Sequence, residues 1–143
     1  MISGFIKDYS FLSNFYFTPV EFEGETYITS ESAFQAAKTL DPEIRKQFTQ
    51  MAPGPAKRKG RTLELRADWE AVKEDVMYRI LKAKFAPDYM KQLLLETGDE
   101  YLEEGNTWHD NIWGNCSCPK CRDIPGANRL GKLLMRVRDE AKT

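Results

Sequence analysis

The sequence predicts a single α+β domain over residues 1–143, mainly helical, with a small antiparallel sheet near its start. Three observations support this fold class. The chain has 143 residues, enough for one compact domain with its own core and too few for two of ordinary size. Residues 5–28 are dense in aromatic side chains and interrupted by turn residues, as strands are. After residue 30, apolar residues recur every three or four positions between helix start and stop signals.

The composition argues against several classes of protein. Hydrophobic residues make up 41% and charged residues 30% of the chain, and the formal net charge is -1, so whole-surface binding to nucleic acid or membrane has no electrostatic basis. No apolar run approaches the ~20 residues of a membrane span, and the first residues lack the order of a signal peptide. We therefore expect a cytoplasmic protein with no membrane partner.

The first element is predicted to be a hairpin. Residues 15–17 and 26–28 are suited to a half-buried pleated surface, and residues 22–26 resemble a tight turn between strands. A second turn at residues 12–15 is expected to bring polar side chains beside the helix that follows.

That helix, predicted over residues 30–38, carries the polar groups of greatest interest. Glu31, Gln35 and Lys38 are spaced i, i+4 and i+7, so an acid, an amide and an amine share one face. Either Thr29 or Ser30 can cap its first free N–H groups. An Asp-Pro pair at residues 41–42 discourages continuation of the helix.

Further helices follow the same rules. A capped helix is predicted from Pro42 to about Met51, with a break at residues 53–55, and a short strand is predicted at residues 100–104, as an inner strand or beside the first hairpin. The remaining predicted helices run over residues 68–84, 87–98 and about 128–140, the last with Leu130, Leu133, Leu134 and Val137 inward and Arg136 and Arg138 outward.

Lys38 is the principal candidate for chemistry. An amine on an otherwise apolar helix face near aromatic strands would be partly desolvated, which lowers its pKa and frees its lone pair for attack on carbon. The alternative is a solvent-facing lysine that the helix dipole favours at a C-terminus. Glu31 is either a general acid or base, or a first-turn acid that helps the helix start.

Two other regions offer binding groups. Asp110 and Trp113 lie in a polar loop, where a carboxylate can take a proton or hold a ribose diol and an indole can stack on a base. Alternatively, Trp108 and Trp113 anchor the core and Asp110 is a turn residue. The only basic cluster spans residues 57–61, within which Arg61 is the candidate phosphate ligand and residues 57–59 are expected to be exposed surface.

The three cysteines and the one histidine form the last candidate group. Cys116, Cys118 and Cys121 lie close together, with His109 upstream, which does not resemble a disulfide framework. Because Cys116 is one residue too close to Cys118 for the usual Cys-x2-Cys pair, we expect a reduced-thiol loop, no bound metal and no cofactor. A zinc-held loop remains the alternative.

Several motifs together resemble the YbiA-like or NADAR family. They occur in the family's order and cover almost the whole chain. They are Leu12-Ser13-Asn14-Phe15, residues 29–38, Gly60-Arg61, Trp69 with Met77, Lys84-Phe85, Thr97-Gly98, Asp110 with Trp113-Gly114, and residues 128–135.

The resemblance implies a YbiA-like fold and an N-glycosidase that cleaves bonds between nitrogen and ribose. It implies that Lys38 attacks the anomeric carbon and forms a Schiff base, with Glu31 and Asp110 as the other catalytic groups. The substrate-binding residues that it implies are Ser13, Asn14, Gln35, Arg61, Trp113, Gly114 and Asn128.

Two substrate classes are implied by the family. The first is ADP-ribosylated guanine in nucleic acid, which the basic cluster favours, and the second is the early phosphorylated ribosylamino intermediates of riboflavin biosynthesis. A module that binds ADP-ribose or NAD without turnover is a further alternative. The family's usual glycine-rich, acidic loop after Trp113-Gly114 is replaced here by residues 115–121, so substrate choice by this loop stays open.

Overall fold

A computed structural model describes all residues from Met1 to Thr143. Its contacts divide the chain into two compact units, one formed by Asn14–Pro87 and the other by Met1–Ser13 together with Asp88–Thr143. No helix in the structure is both long enough and apolar enough to cross a bilayer. The mixed, mainly helical class is confirmed, whereas the single-domain boundary at residues 1–143 stays a prediction.

Six α-helices and six short strands make up the regular structure, with one 3-10 helix at Lys7–Leu12. The helices are α1 (Ser30–Ala36), α2 (Pro42–Gln47), α3 (Pro53–Gly60), α4 (Trp69–Lys84), α5 (Asp88–Leu95) and α6 (Arg129–Ala141). The strands are β1 (Ile2–Ser3), β2 (Val20–Phe22), β3 (Glu25–Tyr27), β4 (Leu102–Glu103), β5 (Gly105–Asn106) and β6 (Asn115–Cys116).

The unit Asn14–Pro87 is built around α1. Strands β2 and β3 form the predicted antiparallel hairpin, and Glu23 and Gly24 at its tip have φ angles of 47° and 90°, as a two-residue turn with the twist of the strands requires. Helix α1 packs against this hairpin, α3 and α4. Phe34 of α1 lies 5.1 Å, centroid to centroid, from Trp69 of α4. The apolar face of α1 is therefore covered on several sides.

The other unit pairs strands that are far apart in sequence. β1 and β4 are parallel, with Ile2 opposite Leu102, and α6 packs against β4 and α5. Position 131 must be glycine because a β-carbon there would overlap the carbonyl oxygen of Leu102. β5 and β6 form a second parallel pair.

Several predicted elements differ from those observed. Residues 15–17 form no strand, and the strand near residue 102 pairs with β1 rather than with the hairpin. Residues 53–55 begin α3 instead of ending a helix, because proline in the first turn gives up only an N–H that has no helical partner. α2 ends at Gln47, four residues before the predicted end. Two of these errors concern strands and two concern the ends of helices.

The inward face of α6 is confirmed, but one outward assignment is wrong. Arg138 is 4% exposed, and its Nη1 donates to the Thr97 hydroxyl over 2.9 Å. Arg136 is exposed and pairs with Glu140 at 3.7 Å, as predicted for a solvent-facing side chain. A hydrogen-bond acceptor on the neighbouring chain segment thus allows an arginine into an otherwise apolar environment.

Candidate active site

The N-terminus of α1 is fixed by two hydroxyl side chains. Thr29 is the N-cap, and its Oγ1 accepts from the Ser32 N–H at 3.1 Å. The Ser32 hydroxyl donates in turn to the Met51 carbonyl at 2.6 Å. Both side chains are fully buried, so the start of α1 is held by an interior network.

Asn14 contacts the same helix end, as the turn at residues 12–15 was predicted to do. Its carbonyl accepts from the Glu31 N–H at 3.0 Å, and its Oδ1 accepts from the Ser30 hydroxyl at 2.8 Å. The backbone that carries Glu31 is therefore held from outside α1 as well as by the helix itself.

Glu31 and Gln35 form a buried pair on one face of α1. Glu31 is 9% exposed and Gln35 is 5% exposed, and Gln35 Nε2 donates to Glu31 Oε2 over 2.9 Å. The other amide atom, Gln35 Oε1, is buried and has no hydrogen-bond partner within the protein. A buried acceptor of this kind is costly unless a ligand or a water molecule supplies a donor.

Lys38 lies just beyond the helix rather than on it. α1 ends at Ala36, and the Lys38 N–H bonds to the Gln35 carbonyl in the turn that follows. The side chain is half-buried. Burial is the main cause that lowers the pKa of the Lys38 amine, the Glu31 carboxylate opposes it, and the positive charges of Arg61 and Lys57 lower the pKa further. The partial burial predicted for this amine is observed, whereas its predicted place on the helix is not.

The basic residues near Lys38 come from α3 and its end. Arg61 is the exposed C-cap residue of α3, and Lys57 precedes it by four positions, so both lie on one side of the helix. The prediction that residues 57–59 are exposed surface holds for Arg58 but is wrong for Lys57 and Lys59, which are half-buried. The charge of Lys57 lowers the pKa of Lys38. The i, i+4 spacing of Lys57 and Arg61 was the signal that could have identified it.

Asp110 holds the turn of the polar loop between β5 and β6, in the unit formed by Met1–Ser13 and Asp88–Thr143. Its Oδ1 accepts from the backbone N–H groups of Ile112 and Trp113, at 3.1 and 2.9 Å. The Asn106 side chain holds the same turn, since its Nδ2 donates to the Asp110 carbonyl and its Oδ1 accepts from the Asp110 N–H. Asp110 is thus a turn residue, as the alternative interpretation held, and its catalytic role stays a prediction.

The other candidates in this unit lie near that turn or next to β4. Trp113 is half-buried, whereas Trp108 is 59% exposed. Gly114 leaves no room for a β-carbon beside Glu104. Asn128 is 2% exposed, and its carboxamide is engaged by the backbone of Glu104 and Leu102. The structure therefore accounts for Gly114 and Asn128 by packing, and their roles in binding stay predictions.

The predicted site residues fall into two groups. Those around α1 and α3, within one unit, are Asn14, Glu31, Gln35, Lys38 and Arg61. Those in the other unit are Ser13, Asp110, Trp113, Gly114 and Asn128.

Lys84 is an ionisable group that the prediction of site residues left out. It is fully buried, and its Nζ lies 5.2 Å from the Phe85 ring centroid and 5.9 Å from that of Tyr16. Burial lowers the pKa of its amine to about 7. Its position in the apolar stripe of α4 was the available sequence signal.

The histidine and the three cysteines lie closer together in the structure than their spacing in the sequence suggested. The possible ligand atoms of His109, Cys116, Cys118 and Cys121 all lie within 4.8 Å of one another. The short Cys116–Cys118 separation therefore does not keep the three thiols apart, and the spacing argument against a shared site is wrong.

Comparison with known proteins shows the family to which this chain belongs. The NADAR domain model matches residues 4–142. N-glycosidase YbiA of Escherichia coli is 41% identical over 137 residues, which cover 93% of this chain and 82% of that protein. N-glycosidase Npun_R5314 of Nostoc punctiforme is 34% identical over 146 residues, covering 95% of this chain and 88% of that one.

Two further similarities concern function and fold. The riboflavin biosynthesis protein PYRR of Zea mays is 37% identical over 129 residues, which cover 80% of this chain but 20% of that longer protein. The NMR structure of Escherichia coli YbiA superposes with a TM-score of 0.82 at 38% identity and covers 99% of this chain and 84% of that one. The chain belongs to the NADAR domain family, and this membership makes it an enzyme of the N-glycosidase class.

Proposed function

We propose that this chain hydrolyses the bond between a base or amine nitrogen and C1′ of a phosphorylated ribose, with Lys38 as the nucleophile. One observation carries the proposal: the Lys38 amine is half-buried beside the Glu31 carboxylate and two cationic side chains, and burial lowers its pKa. A lowered pKa increases the fraction of neutral amine near pH 7, and only the neutral amine has a lone pair for attack.

The reaction can be written with all atoms accounted for. The neutral Lys38 nitrogen bonds to C1′ while the C1′–N bond to the base breaks, and the departing nitrogen takes a proton from a carboxyl group. The C1′–O4′ bond then opens and O4′ gains the Lys38 proton, which leaves a protonated Schiff base. Water adds at C1′ and returns one proton to the carboxylate. The proton of the new C1′ hydroxyl then passes to the Lys38 nitrogen as the C1′–Lys38 bond breaks, which releases ribose as its aldehyde and restores the neutral amine.

We assign the acid and base roles to Glu31 and Asp110. Glu31 suits proton transfer because it is buried next to Lys38 and is oriented by Gln35. Asp110 lies in the other unit and has one oxygen committed to its own turn. Trp113, in that turn, offers an indole face for a base.

Arg61 and Lys57 supply the charge that a phosphorylated ribose requires. Their positive charges act on Lys38, so a phosphate that binds them lies near the reacting amine. Without such an anion, the positive charges of Arg61 and Lys57 lie close together and repel each other. Substrate binding would relieve this repulsion, which favours a phosphorylated sugar over a plain nucleoside.

We propose ADP-ribosylated guanine in nucleic acid as the leading substrate, in the cytoplasm. Its support is the basic helix α3, whose residues 57–59 and Arg61 offer more positive charge than one phosphate needs. The second candidate is a phosphorylated ribosylamino intermediate of riboflavin biosynthesis. It is favoured by the similarity to the maize protein whose name refers to that pathway.

Borohydride trapping tests the nucleophile. Reduction during turnover is expected to leave the sugar covalently attached to Lys38, visible by peptide mass spectrometry. Lys38→Ala and Lys38→Arg should lose trapping and activity, while Lys46→Ala, at an exposed lysine of α2, should retain both. A Lys38→Ala variant with full turnover would rule out the mechanism.

A parallel substrate assay separates the functions. The wild-type protein is incubated with ADP-ribosylated DNA and with riboflavin precursors, and the released base or amine is followed by chromatography. Release from one class identifies the substrate. Tight binding of ADP-ribose by calorimetry, with no release from either class, would instead indicate a non-catalytic binding module.

A further inference from the structure

Strand β6 and the loops before and after it contain every cysteine and the one histidine of the chain. The sequence contains three cysteines and one histidine, and all four meet in one cluster with their candidate ligand atoms within 4.8 Å of one another. Cys116 and Cys121 are buried and Cys118 is half-buried. Because no cysteine or histidine lies elsewhere, random clustering is a poor explanation for a complete set of four soft ligands.

Two distances within the cluster are close to those of a tetrahedral zinc site. His109 Nδ1 lies 3.3 Å from Cys118 Sγ and 3.4 Å from Cys121 Sγ. With Zn–N near 2.0 Å and Zn–S near 2.3 Å, a tetrahedron has N···S edges of about 3.6 Å and S···S edges of about 3.8 Å. All four ligand atoms lie within 4.8 Å of one another, so the cluster has about the size of such a tetrahedron.

The backbone around the cluster already directs N–H groups at sulfur. The His109 N–H points to Cys116 Sγ at 3.3 Å, and the Cys118 N–H points to the same sulfur at 3.5 Å. His109 adopts the left-handed backbone conformation, with φ at 69°, which a non-glycine residue adopts at a cost. Donors of this kind stabilise thiolate ligands and orient them.

We propose that His109, Cys116, Cys118 and Cys121 bind one zinc ion. Three thiolates and one neutral imidazole fit the preference of Zn²⁺ for tetrahedral nitrogen and sulfur ligands. The three thiols lose their protons to solvent on binding. Four protein ligands leave no open position, so the site is structural rather than catalytic.

The ion would tie together three parts of the loop. His109 lies between β5 and β6, Cys116 belongs to β6, and Cys118 and Cys121 lie in the turn that follows. Asp110 is the next residue after His109, so the ion would hold the turn that carries Asp110. Its relevance to catalysis rests on the proposed function, but the site itself does not.

Metal content tests the proposal directly. The tag-free protein, expressed with zinc in the medium and purified in reductant, is dialysed against a weak chelator and analysed by mass spectrometry for metals. We expect about one zinc per chain. Cobalt substitution should give the intense ligand-field absorption of a tetrahedral site together with sulfur-to-cobalt charge transfer. Neither readout depends on enzymatic activity, so the outcome is separate from that of the proposed function.

Variants identify the ligands. Cys118→Ser, Cys121→Ser and His109→Ala should each weaken cobalt binding by about 100-fold or more, since each removes one of four ligands. Lys120→Ala changes an exposed residue between two of the ligands and should retain one zinc. Should the variants fail to fold, the wild-type protein suffices: a mercurial titration should release one zinc as three thiols react.

Two results would overturn the inference. The first is zinc well below one equivalent in a wild-type protein whose three thiols are all reduced and titratable. The second is a disulfide among the three cysteines, or iron in place of zinc, in the purified protein.

Discussion

Gly60 of α3 lies directly against the carboxamide of Gln35 on α1. A β-carbon at position 60 would overlap Gln35 Oε1 and lie 2.7 Å from its Cδ. The Gln35 amide has little room to retreat, since it is 5% exposed and its Nε2 is bonded to Glu31. The absence of a side chain at position 60 therefore helps to set the position of the Glu31 carboxylate.

Gly60→Ala should consequently damage the site through packing. The added methyl group pushes the Gln35 carboxamide away and breaks its bond to Glu31. We expect a loss of about 1–3 kcal/mol in the free energy of unfolding, as for other overpacked sites. Activity should fall by about 10- to 100-fold, since a displaced catalytic group loses its alignment. Urea unfolding and steady-state kinetics measure the two effects.

The control is another glycine of the same helix. A β-carbon at Gly54 would meet only the Arg58 side chain, at 3.7 Å, which is ordinary contact. Gly54→Ala should leave activity unchanged. If Gly60→Ala is as active as Gly54→Ala, the position of Gln35 has no bearing on the reaction.

The charges around Lys38 should shift the pKa of its amine in opposite directions. Arg61→Gln removes a positive charge that disfavours the protonated amine, so the pKa should rise. Glu31→Gln removes the favourable negative charge, so the pKa should fall. Carbon-13 NMR titration of the Lys38 ε-carbon, in protein labelled at lysine, measures both shifts without requiring turnover.

Arg58→Gln supplies the matched comparison for Arg61. Arg58 is exposed on the same helix and is not among the groups that shift the pKa of Lys38. The Arg58→Gln substitution should leave the titration of Lys38 unchanged. Equal shifts from Arg58→Gln and Arg61→Gln would show that the net charge of α3, rather than the placement of Arg61, acts on the amine.

The sequence predicted most of the elements around Lys38 because local signals specify them. The Thr29 cap, the i, i+4 pair of Glu31 and Gln35 and the Glu23-Gly24 turn each depend on neighbours within four residues. Such signals can be read without tertiary information.

Contacts between distant segments could not be predicted in this way. The burial of Arg138 depends on Thr97, and the close approach of Gly60 to Gln35 depends on how two helices pack. The thiol cluster likewise depends on a left-handed backbone at His109, which spacing alone does not reveal. Each of these features arises from packing or backbone geometry that a local pattern does not encode.

Substitutions of Asp110 should separate its structural role in the turn from a chemical role in the reaction. Its Oδ1 accepts two backbone N–H bonds, and an asparagine oxygen can accept the same two bonds without the charge. Asp110→Asn should therefore keep the melting temperature close to that of the wild type. If the carboxylate takes part in proton transfer, activity should drop by about 100-fold or more.

Asp110→Ala completes that comparison. It removes both hydrogen bonds and the charge, so it should lose about 1 kcal/mol or more of stability in addition to activity. Calorimetry and kinetics on the two variants distinguish the roles. Full activity in a well-folded Asp110→Asn protein would leave Asp110 as a turn residue only.

Lys84 should make the stability of the protein depend on pH in a defined direction. Burial lowers the pKa of its amine to about 7 in the folded protein, from 10.5 for an ordinary lysine. Between these values the unfolded chain binds more protons than the folded one, so the free energy of unfolding rises with pH. The contribution of Lys84 is about 1.4 kcal/mol per pH unit in this window, and it levels off below the folded pKa.

Lys84→Met should abolish this contribution. The variant should exceed the wild type in stability most at pH 7 and below, and its advantage should shrink by about 2–3 kcal/mol between pH 7 and pH 9.5. Urea unfolding of both proteins at several pH values measures the difference in their free energies of unfolding. The other titrating groups contribute equally to both proteins, so their effects cancel in this difference. Leu81→Met, at a buried residue of the same helix that carries no titratable proton, should show a pH-independent difference from the wild type. A difference for Lys84→Met that is equally flat would mean that the buried amine titrates as an ordinary lysine does.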